Sequence, residues 1–396
     1  MSLPSISQSQ RDPEFVQDPY PFYDRARALG ELFIWEEFGF ACSASFKTVS
    51  ALLRDRRFGR EAPDGVLPEI PPRLEPFYTI DRASMLEREP PEHTRLRNHV
   101  LRAFTSRRIA GLEPEIHALC HKQIDSFDTE VDLLPTYGEV IPITVIARLL
   151  GVPEEMGPQM LKWSHDMVAM YQVRRDRDVE DQAVLAALAF SAYLQSFIDK
   201  RRRSPKDDLI SALIAAHQGE SLSDTELIST CVLLLNAGHE ATAHTICNGV
   251  KTILETGFDP AALFKTEARS QRLSEEVMRF DAPLHLFTRY ALQKVEFGGH
   301  IFEVGDKVGL LLAAANRDPA QFHEPAVFDP VRGGAGQLAF GAGIHFCLGA
   351  PLARLEMNVA LPVLFERLPM LRLAAQPRYA DRYHFHGLEK LLVNCS

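Results

Sequence analysis

The most informative segment of the chain is residues 340–349, Phe340-Gly341-Ala342-Gly343-Ile344-His345-Phe346-Cys347-Leu348-Gly349. Three glycines beside one cysteine permit backbone conformations and close approaches that a Cβ atom would block. Pro351 follows, and proline suits the first turn of a helix. The segment therefore predicts that Cys347 lies just before a helix N-terminus, where unpaired backbone N–H groups and the helix dipole favour the thiolate over the thiol.

A thiolate in this position is a candidate metal ligand. The alternative is a buried, inert cysteine in a glycine-rich turn, which three glycines and a histidine at fixed offsets disfavour. The other five cysteines show no paired spacing, and in a reducing cytosol they are expected to be structural thiols. They are Cys42, Cys120, Cys231, Cys247 and Cys395.

The segment resembles the haem-binding signature of the cytochrome P450 family, F-G-x-G-x-H-x-C-x-G, and matches it at every specified position. The resemblance implies haem b, iron protoporphyrin IX, with the Cys347 thiolate as the axial ligand that favours O–O cleavage. It also implies that His345 lies against a haem propionate. Phe340, Gly341 and Gly349 are then further cofactor-binding residues.

Other landmarks of the same family occur in order along nearly the whole chain. Glu276 and Arg279 have E-x-x-R spacing, which places both on one helix face, and in the family this pair is a buried structural lock. His93 and Arg97 lie four residues apart on one helix face, and with Arg289 they match the family's propionate contacts. Without the resemblance, each of these residues would be taken for an ordinary exposed side chain.

Apolar periodicity predicts a mainly helical chain with small β-sheets, an α+β fold class. Residues 32–42 predict a β-hairpin, and residues 295–314 predict consecutive hairpin strands separated by glycine-containing turns. Most of residues 92–205 show helical spacing, including a helix that has Pro142 in its first turn and stops at Gly151.

Ser223 to Glu226 form a capping-box pattern, which predicts a long helix reaching about Leu254. The resemblance implies a cytochrome P450 fold in which haem is buried between this long central helix and the Cys347 loop. Residues 63–76 are rich in proline and predict a long ordered loop. Pro362 predicts a kink in the helix after Cys347. A single domain over residues 1–396 is expected.

Residues 237–242, Ala-Gly-His-Glu-Ala-Thr, match the family's A-G-x-[DE]-T-[TS] element at most positions. By this resemblance the small pair Ala237 and Gly238 leaves room for dioxygen and substrate, and Glu240 is the acid that delivers protons. Ala241 stands where the family usually has a threonine. Thr242 cannot simply replace that threonine, because the next residue points about 100° around the helix. A substrate hydroxyl or a bound water is therefore expected to assist proton delivery.

Two zinc interpretations are weaker. His239 and Glu240 begin a sequence similar to H-E-x-x-H, but His244 comes one residue too late and points roughly 140° away from His239. A helix cannot present both imidazoles to one zinc ion. His117, Cys120 and His121 share a helix face, yet they lack a fourth ligand, and a structural role is favoured.

An apolar substrate pocket is also expected from the resemblance. Its candidate apolar residues are Leu234, Ala237, Leu284, Phe287 and Phe385. His239, His285 and His386 are candidate polar anchors, although a histidine is more often structural.

Composition restricts the possible partners. A net charge of −10 and a pI near 5.8 argue against nucleic-acid binding. The chain shows neither a membrane-spanning stretch nor a signal-peptide pattern, so a cytoplasmic protein is expected. No G-x-G-x-x-G opens a βαβ unit, so electrons are expected from a ferredoxin and its NAD(P)H-dependent reductase. Arg102, Arg107 and Arg108 suit an acidic partner, or equally a solvated helix end.

The sequence therefore predicts a haem-thiolate monooxygenase that inserts one atom of O2 into a small, largely apolar molecule, with Glu240, Ala241 and Thr242 at the catalytic position of the long helix. Two alternatives stay open. One is a peroxide-driven haem-thiolate oxidase, and the other is a haem sensor or carrier without turnover.

Overall fold

The computed structural model describes residues 2–67, 69–172, 175–216, 221–332 and 336–396. Helices dominate, and short strands lie between them, so the predicted mainly helical class with small sheets is confirmed. The helices are α1 (Pro13–Gln17), α2 (Tyr20–Ala28), α3 (Phe46–Leu52), α4 (Glu75–Arg82), α5 (Glu92–Ala103), α6 (Ser106–Ala110), α7 (Glu113–Asp125), α8 (Val140–Leu150), α9 (Gly157–Val168), α10 (Arg177–Arg203), α11 (Leu209–Ala215), α12 (Asp224–Thr256), α13 (Pro260–Leu263), α14 (Glu267–Phe280), α15 (Leu312–Asn316) and α16 (Ala350–Arg367). The strands are β1 (Ser5–Ile6), β2 (Phe33–Trp35), β3 (Phe40–Ser43), β4 (Phe58–Gly59), β5 (Glu130–Asp132), β6 (Leu286–Ala291), β7 (Val295–Phe297), β8 (His300–Phe302), β9 (Lys307–Leu311), β10 (Arg372–Leu373), β11 (Arg378–Tyr379), β12 (Leu388–Lys390) and β13 (Leu392–Asn394).

The chain divides into two compact units. Unit 1 comprises Met1–Leu67, His117–Gly138 and Ala243–Ser396, and unit 2 comprises Pro68–Ile116 and Glu139–Thr242. Helix α12 contributes residues to both units. The expected single domain over residues 1–396 stays a prediction. Among the helices of the described ranges, none combines the length and apolar character that crossing a bilayer requires.

Unit 1 contains the described strands. Its largest sheet has six strands in the order β1-β2-β3-β9-β6-β4. The hairpin predicted over residues 32–42 is confirmed, because β2 and β3 pair antiparallel with Phe33 opposite Cys42. Beside this sheet the Trp35 ring lies 4.6 Å from the Phe22 ring, in an aromatic core cluster.

The strands predicted over residues 295–314 are correct only in part. β7 and β8 form a hairpin, with Val295 opposite Phe302. β9 instead pairs with β3 and β6, and it ends at Leu311 because the following residues form α15. Three consecutive alanines in α15 explain this ending, because alanine is the strongest helix former. A short apolar run does not by itself distinguish a strand from a helix.

One prediction about a proline-containing segment needs correction. A 3₁₀ turn at Pro72–Leu74 and helix α4 replace the end of the long loop expected over residues 63–76; residue 68 lies outside the described residues. Helix α16 continues through Pro362 to Arg367, and the kink expected at this proline stays a prediction.

Unit 2 is built from helices, and the chain determines where two of them begin or end. Helix α8 has Pro142 in its first turn and stops at Gly151, whose φ is +83°. A side chain at that glycine would also collide with Asp208, since an added Cβ atom would lie 2.2 Å from its Oδ2. The capping box of α12 is confirmed, because Ser223 N–H donates to Glu226 Oε2 at 2.8 Å and Glu226 N–H donates to Ser223 Oγ at 3.2 Å.

Candidate functional site

Cys347 lies in unit 1, two residues before Gly349, the N-cap of α16. The Cys347 N–H donates to the Phe340 carbonyl at 3.0 Å, which closes the loop on itself. All six cysteines are described, and Cys347 is the one whose side chain is exposed. The backbone therefore presents this sulfur to a ligand at the start of a long helix.

The glycines of this loop are a steric requirement. Gly343 has a φ of +74°, and a Cβ atom built on it would lie 2.2 Å from the Leu53 carbonyl oxygen. A Cβ atom on Gly341 would lie 3.3 Å from the Phe287 ring. The F-G-x-G spacing is thus what allows this segment to pack against its neighbours in unit 1.

The other cysteines have a different character. Cys42, Cys120, Cys231 and Cys247 are buried, and Cys395 is half-buried. Burial raises the pKa of Cys42, Cys120 and Cys231 to about 12. These three groups are protonated thiols at neutral pH.

A buried ion pair fixes the segment that leads to the loop. The Arg279 Nη2 and Glu276 Oε1 atoms are 2.7 Å apart, and both side chains are 2% exposed. Arg279 also donates to the Asn316 carbonyl at 2.9 Å, while the Asp329 N–H donates to Glu276 at 2.9 Å. Asn316 Oδ1 in turn accepts from the Leu338 N–H at 2.7 Å. The pair thereby holds both the backbone before the Cys347 loop and the residue that anchors its first turn.

The candidate propionate ligands are basic side chains on several elements. In unit 1, Arg289 on β6 is 2% exposed and donates to the Thr288 carbonyl at 2.8 Å, and His345 is half-buried on a 3₁₀ turn. In unit 2, His93 is 3% exposed, and Arg97 follows it by four residues on α5. Guanidinium and imidazole groups bind carboxylates well.

The candidate substrate-binding residues of unit 1 differ in how deeply they are buried. Leu284 and Phe287 are half-buried, and Phe385 is 9% exposed. His285 is fully buried, and its Nδ1 lies 2.8 Å from the Tyr23 hydroxyl. Burial lowers the pKa of His285 well below its usual value, so the ring is neutral.

His386 belongs to the same buried network. The ring centroids of His285 and His386 are 4.5 Å apart, and the Tyr379 ring stacks on His386 at 3.8 Å. Burial lowers the pKa of His386 to about 3. The structure therefore places both histidines in a packed polar network.

One face of α12 is accessible where it runs through unit 2. Leu233 and Ala241 are half-buried and Ala237 is exposed. Their four-residue spacing puts all three on one helix face. Gly238 instead faces α8, because a Cβ atom on it would lie 3.3 Å from Ile146. Small residues thus leave open space along this face.

The remaining candidates on α12 are buried. Leu234 is 8% exposed, Glu240 3%, Thr242 6% and His239 0%. The His239 Nδ1 lies 2.9 Å from the Leu235 carbonyl oxygen, one turn earlier on the helix. Burial lowers the pKa of His239 to about 4, so this imidazole is neutral at pH 7.

His165 is a site residue that no motif in the sequence singled out. It lies on α9, and its ring centroid is 5.9 Å from that of His239. One donor atom each from His165, His239 and Glu240 lie within 4.8 Å of one another. The pairing joins different helices, so no local spacing in the chain signals it.

The second zinc interpretation finds no support among the described residues. Cys120 is a buried thiol whose pKa is raised, and the His121 Nδ1 lies 3.0 Å from the Arg367 guanidinium.

The candidate basic cluster is only partly exposed. Arg102 and Arg107 are exposed, whereas Arg108 donates a hydrogen bond to Asp207 at 2.9 Å.

The donor chemistry of these residues fits a haem. An exposed cysteine at a helix N-terminus suits iron, and buried or half-buried basic side chains suit the two propionates. Four of the other cysteines are unsuited to bind the iron because they are buried.

Comparison with known proteins agrees with this donor set. The family model named Cytochrome P450 matches residues 271–377. The "Biotin biosynthesis cytochrome P450" of Bacillus subtilis is 32% identical over 397 aligned positions, covering 98% of this chain and 99% of that protein. The "Cytochrome P450 monooxygenase PikC" of Streptomyces venezuelae is 36% identical, covering 92% of this chain and 87% of that protein.

A solved structure agrees as well. The crystal structure of P450BioI in complex with hexadec-9Z-enoic acid ligated acyl carrier protein has a TM-score of 0.91 and 32% identity, and the match covers 96% of this chain and 99% of that one. The chain therefore belongs to the cytochrome P450 family of haem-thiolate proteins and is an oxygen-incorporating monooxygenase.

Proposed function

We propose that Cys347 is the thiolate ligand of the haem iron, and that the enzyme inserts one atom of O2 into a small, largely apolar organic molecule. The observation that carries this proposal is the exposed Cys347 side chain on a loop that its glycines allow to pack. When bound, haem supplies the site at which O2 is reduced and the substrate is oxidised.

The cofactor-binding roles follow the position of each residue. Phe340, Gly341 and Gly349 shape the loop around Cys347. The basic side chains neutralise the propionates, since a buried positive charge such as that of Arg289 is stabilised by a carboxylate. This second set comprises His93, Arg97, Arg289 and His345.

Glu240 is the acid in this proposal. Its carboxyl group is 3% exposed on α12, and it receives a proton and passes it on to the reaction at a carboxyl oxygen. Ala241 has no hydroxyl with which to continue the transfer. Thr242 is 6% exposed and points about 100° around the helix from Ala241, so it does not replace the missing group. An ordered water or a hydroxyl of the substrate completes the path.

The substrate is held by apolar side chains. The side chains proposed for this role are Leu234, Ala237, Leu284, Phe287 and Phe385. The relative solved with an acyl carrier protein carries a hexadec-9Z-enoic acid chain, so fatty acids and their carrier-bound forms are the first compounds to test. A shift of the Soret band on titration identifies those that bind.

Electrons reach the enzyme from a ferredoxin and an NAD(P)H-dependent reductase. Arg102 and Arg107 are exposed on the ends of α5 and α6 and suit an acidic partner of this kind.

The deciding experiment compares wild type with Ala241→Thr, using a ferredoxin system and the compound that gives the strongest Soret shift. Product formed per NAD(P)H consumed is measured for both. Water or substrate assistance predicts similar coupling in the two proteins, because the path is already complete. A large gain in coupling in Ala241→Thr would refute it.

Peroxide-driven turnover is the competing candidate, and Ala241 is the observation that favours it. It predicts that hydrogen peroxide supports faster product formation than the ferredoxin system in wild type. A non-catalytic haem sensor is disfavoured because the relatives are named monooxygenase and N-oxygenase.

A further inference from the structure

Three potential metal donors lie close together in unit 2, although one of them is far from the other two in the sequence. His165 on α9 and the neighbouring pair His239 and Glu240 on α12 each offer one donor atom, and these atoms lie within 4.8 Å of one another. Among the described residues, no other group of three His, Cys, Asp or Glu donors comes so close. The weak zinc pattern at His239 thus has a different partner from His244.

The hydrogen bonding of His239 suits a metal ligand. Its Nδ1 must carry the hydrogen, because the Leu235 carbonyl 2.9 Å away can only accept. The lone pair therefore sits on Nε2, which is buried and has no hydrogen-bond partner among the described residues. A buried acceptor without a partner is unfavourable. Metal-bound histidines commonly donate their other N–H to a carbonyl in this way.

The other two donors give the site access to solvent and a negative charge. The His165 side chain is 38% exposed, so an ion can enter from solvent on its side. Glu240 is 3% exposed and supplies the carboxylate. Glu139, at the start of α8, places its Oε1 4.0 Å from His165 Nε2 and adds a second negative charge nearby.

We propose that His165, His239 and Glu240 bind a divalent transition-metal ion of the Zn2+ type, separate from the haem iron. Two imidazoles and one carboxylate form a zinc ligand set that leaves a fourth position for water. Around zinc such atoms lie about 3.3 Å apart, so the donors draw together on binding. The His165 side chain is the most exposed of the three, so we expect it to make most of that movement.

The site has a consequence that rests on the proposed function. Glu240 is the proposed proton-carrying acid, and a metal ion bound to its carboxylate prevents it from carrying a proton. Zn2+ is therefore a reversible inhibitor of turnover that acts at a residue of unit 2.

The test uses haem-loaded protein without an affinity tag, freed of adventitious metals with a chelator. Zn2+ is titrated in competition with a chromophoric chelator. Wild type is expected to take up one equivalent that His165→Asn and His239→Asn each bind at least about tenfold more weakly. His323→Asn is the matched control, since His323 is exposed beside Glu324 at 3.6 Å and the described part of the chain places no third donor with them.

The carbon monoxide spectrum of the reduced protein verifies that each variant keeps its fold and haem. His165→Asn guards against misfolding, because its side chain is the most exposed of the three. Equal Zn2+ affinity in wild type and His165→Asn would overturn the site. Zn2+ uptake that is lost in His165→Asn but never changes the turnover of wild type would keep the metal site and overturn the role proposed for Glu240.

Discussion

At the scale of single residues, burial separates side chains that stay neutral from side chains available to a ligand. Burial raises the pKa of Cys42 and Cys231 to about 12 and lowers that of His239 to about 4. Cys347, by contrast, is exposed at a helix N-terminus. The same residue type is therefore an inert thiol at one position and a candidate ligand at another.

Replacing Cys347 by alanine is expected to remove thiolate ligation. The reduced, carbon monoxide-treated variant should lack the red-shifted absorption of a thiolate-bound haem, because no other exposed cysteine can replace the sulfur. Cys395→Ala is the control and should retain the band. Retention of the band in Cys347→Ala, with haem fully loaded, would contradict the assignment.

Glu356 on α16 is a further buried acid, remote from solvent. It is 0% exposed, and neither carboxyl oxygen has a hydrogen-bond partner among the described residues. Burial raises its pKa well above the usual 4.5, so the folded protein holds this proton more tightly than the unfolded chain does. The group favours folding most at low pH, and that contribution is lost as pH rises from the unfolded towards the folded pKa.

Glu356→Gln should therefore become more stable than wild type as the pH rises. The expected difference in the free energy of unfolding grows by about 1.4 kcal/mol for each pH unit above the unfolded pKa, up to the folded pKa. Denaturant unfolding between about pH 5 and 8 measures it. Glu366→Gln, on the exposed side of the same helix, should show no such trend. Parallel pH profiles for wild type and Glu356→Gln would contradict this prediction.

Cys347 was predictable because the residues next to it in the chain form a recognisable pattern. His165 was not predictable because no such pattern surrounds it. The glycines at 341 and 343 are required by contacts within the loop's own surroundings, and they leave a fixed pattern in the chain. His165 meets His239 only because α9 and α12 pack side by side in unit 2. No spacing rule within one helix reports such an encounter.

At the scale of elements, the start or end of a helix was predictable where a capping side chain or a left-handed glycine determines it. Ser223 and Glu226 bond each other's backbone at the start of α12, and Gly151 supplies the left-handed residue after α8. The end of β9 was not predictable in the same way. An unbroken apolar run continues into α15, and its three alanines favour helix without marking the last residue of the strand.

Helix α14 is expected to depend on its buried ion pair. Arg279→Ala removes the closer of the two guanidinium partners of buried Glu276 and leaves only the Arg332 contact at 3.2 Å; it also removes donors from the carbonyls of Asn316 and Pro325. Breaking such a pair costs about 3–5 kcal/mol of stability. Arg272→Ala, on the exposed face of the same helix, should change it by less than about 0.5 kcal/mol. Similar denaturation midpoints for the two variants would show that the pair is not a structural lock.

At the scale of the whole molecule, charge is distributed unevenly. The chain carries a net charge of −10, yet Arg102 and Arg107 are both exposed within a short stretch of unit 2. A small basic cluster on an acidic protein has its largest effect on the rate at which an acidic partner docks.

Reversing this cluster is expected to slow electron delivery. Arg102→Glu combined with Arg107→Glu should lower the rate of ferredoxin-supported reduction about tenfold at low salt and weaken its dependence on ionic strength. Stopped-flow reduction under carbon monoxide measures the rate. A double reversal at Arg378 and Arg382, which are exposed in unit 1, is the control. Equal rates for the two double variants would place the docking surface elsewhere.

The close approach of the Leu53 carbonyl to Gly343 limits how this enzyme can be engineered. Mutagenesis libraries that aim to tune the iron's electronic environment should hold position 343 constant, since any substituent there meets backbone that cannot rotate away. Sequence diversity is better introduced at Ile344 and Leu348, whose side chains are half-buried in the same loop as Cys347. The backbone at Leu53, nearly 300 residues earlier in the chain, thus limits which substitutions the loop can accept.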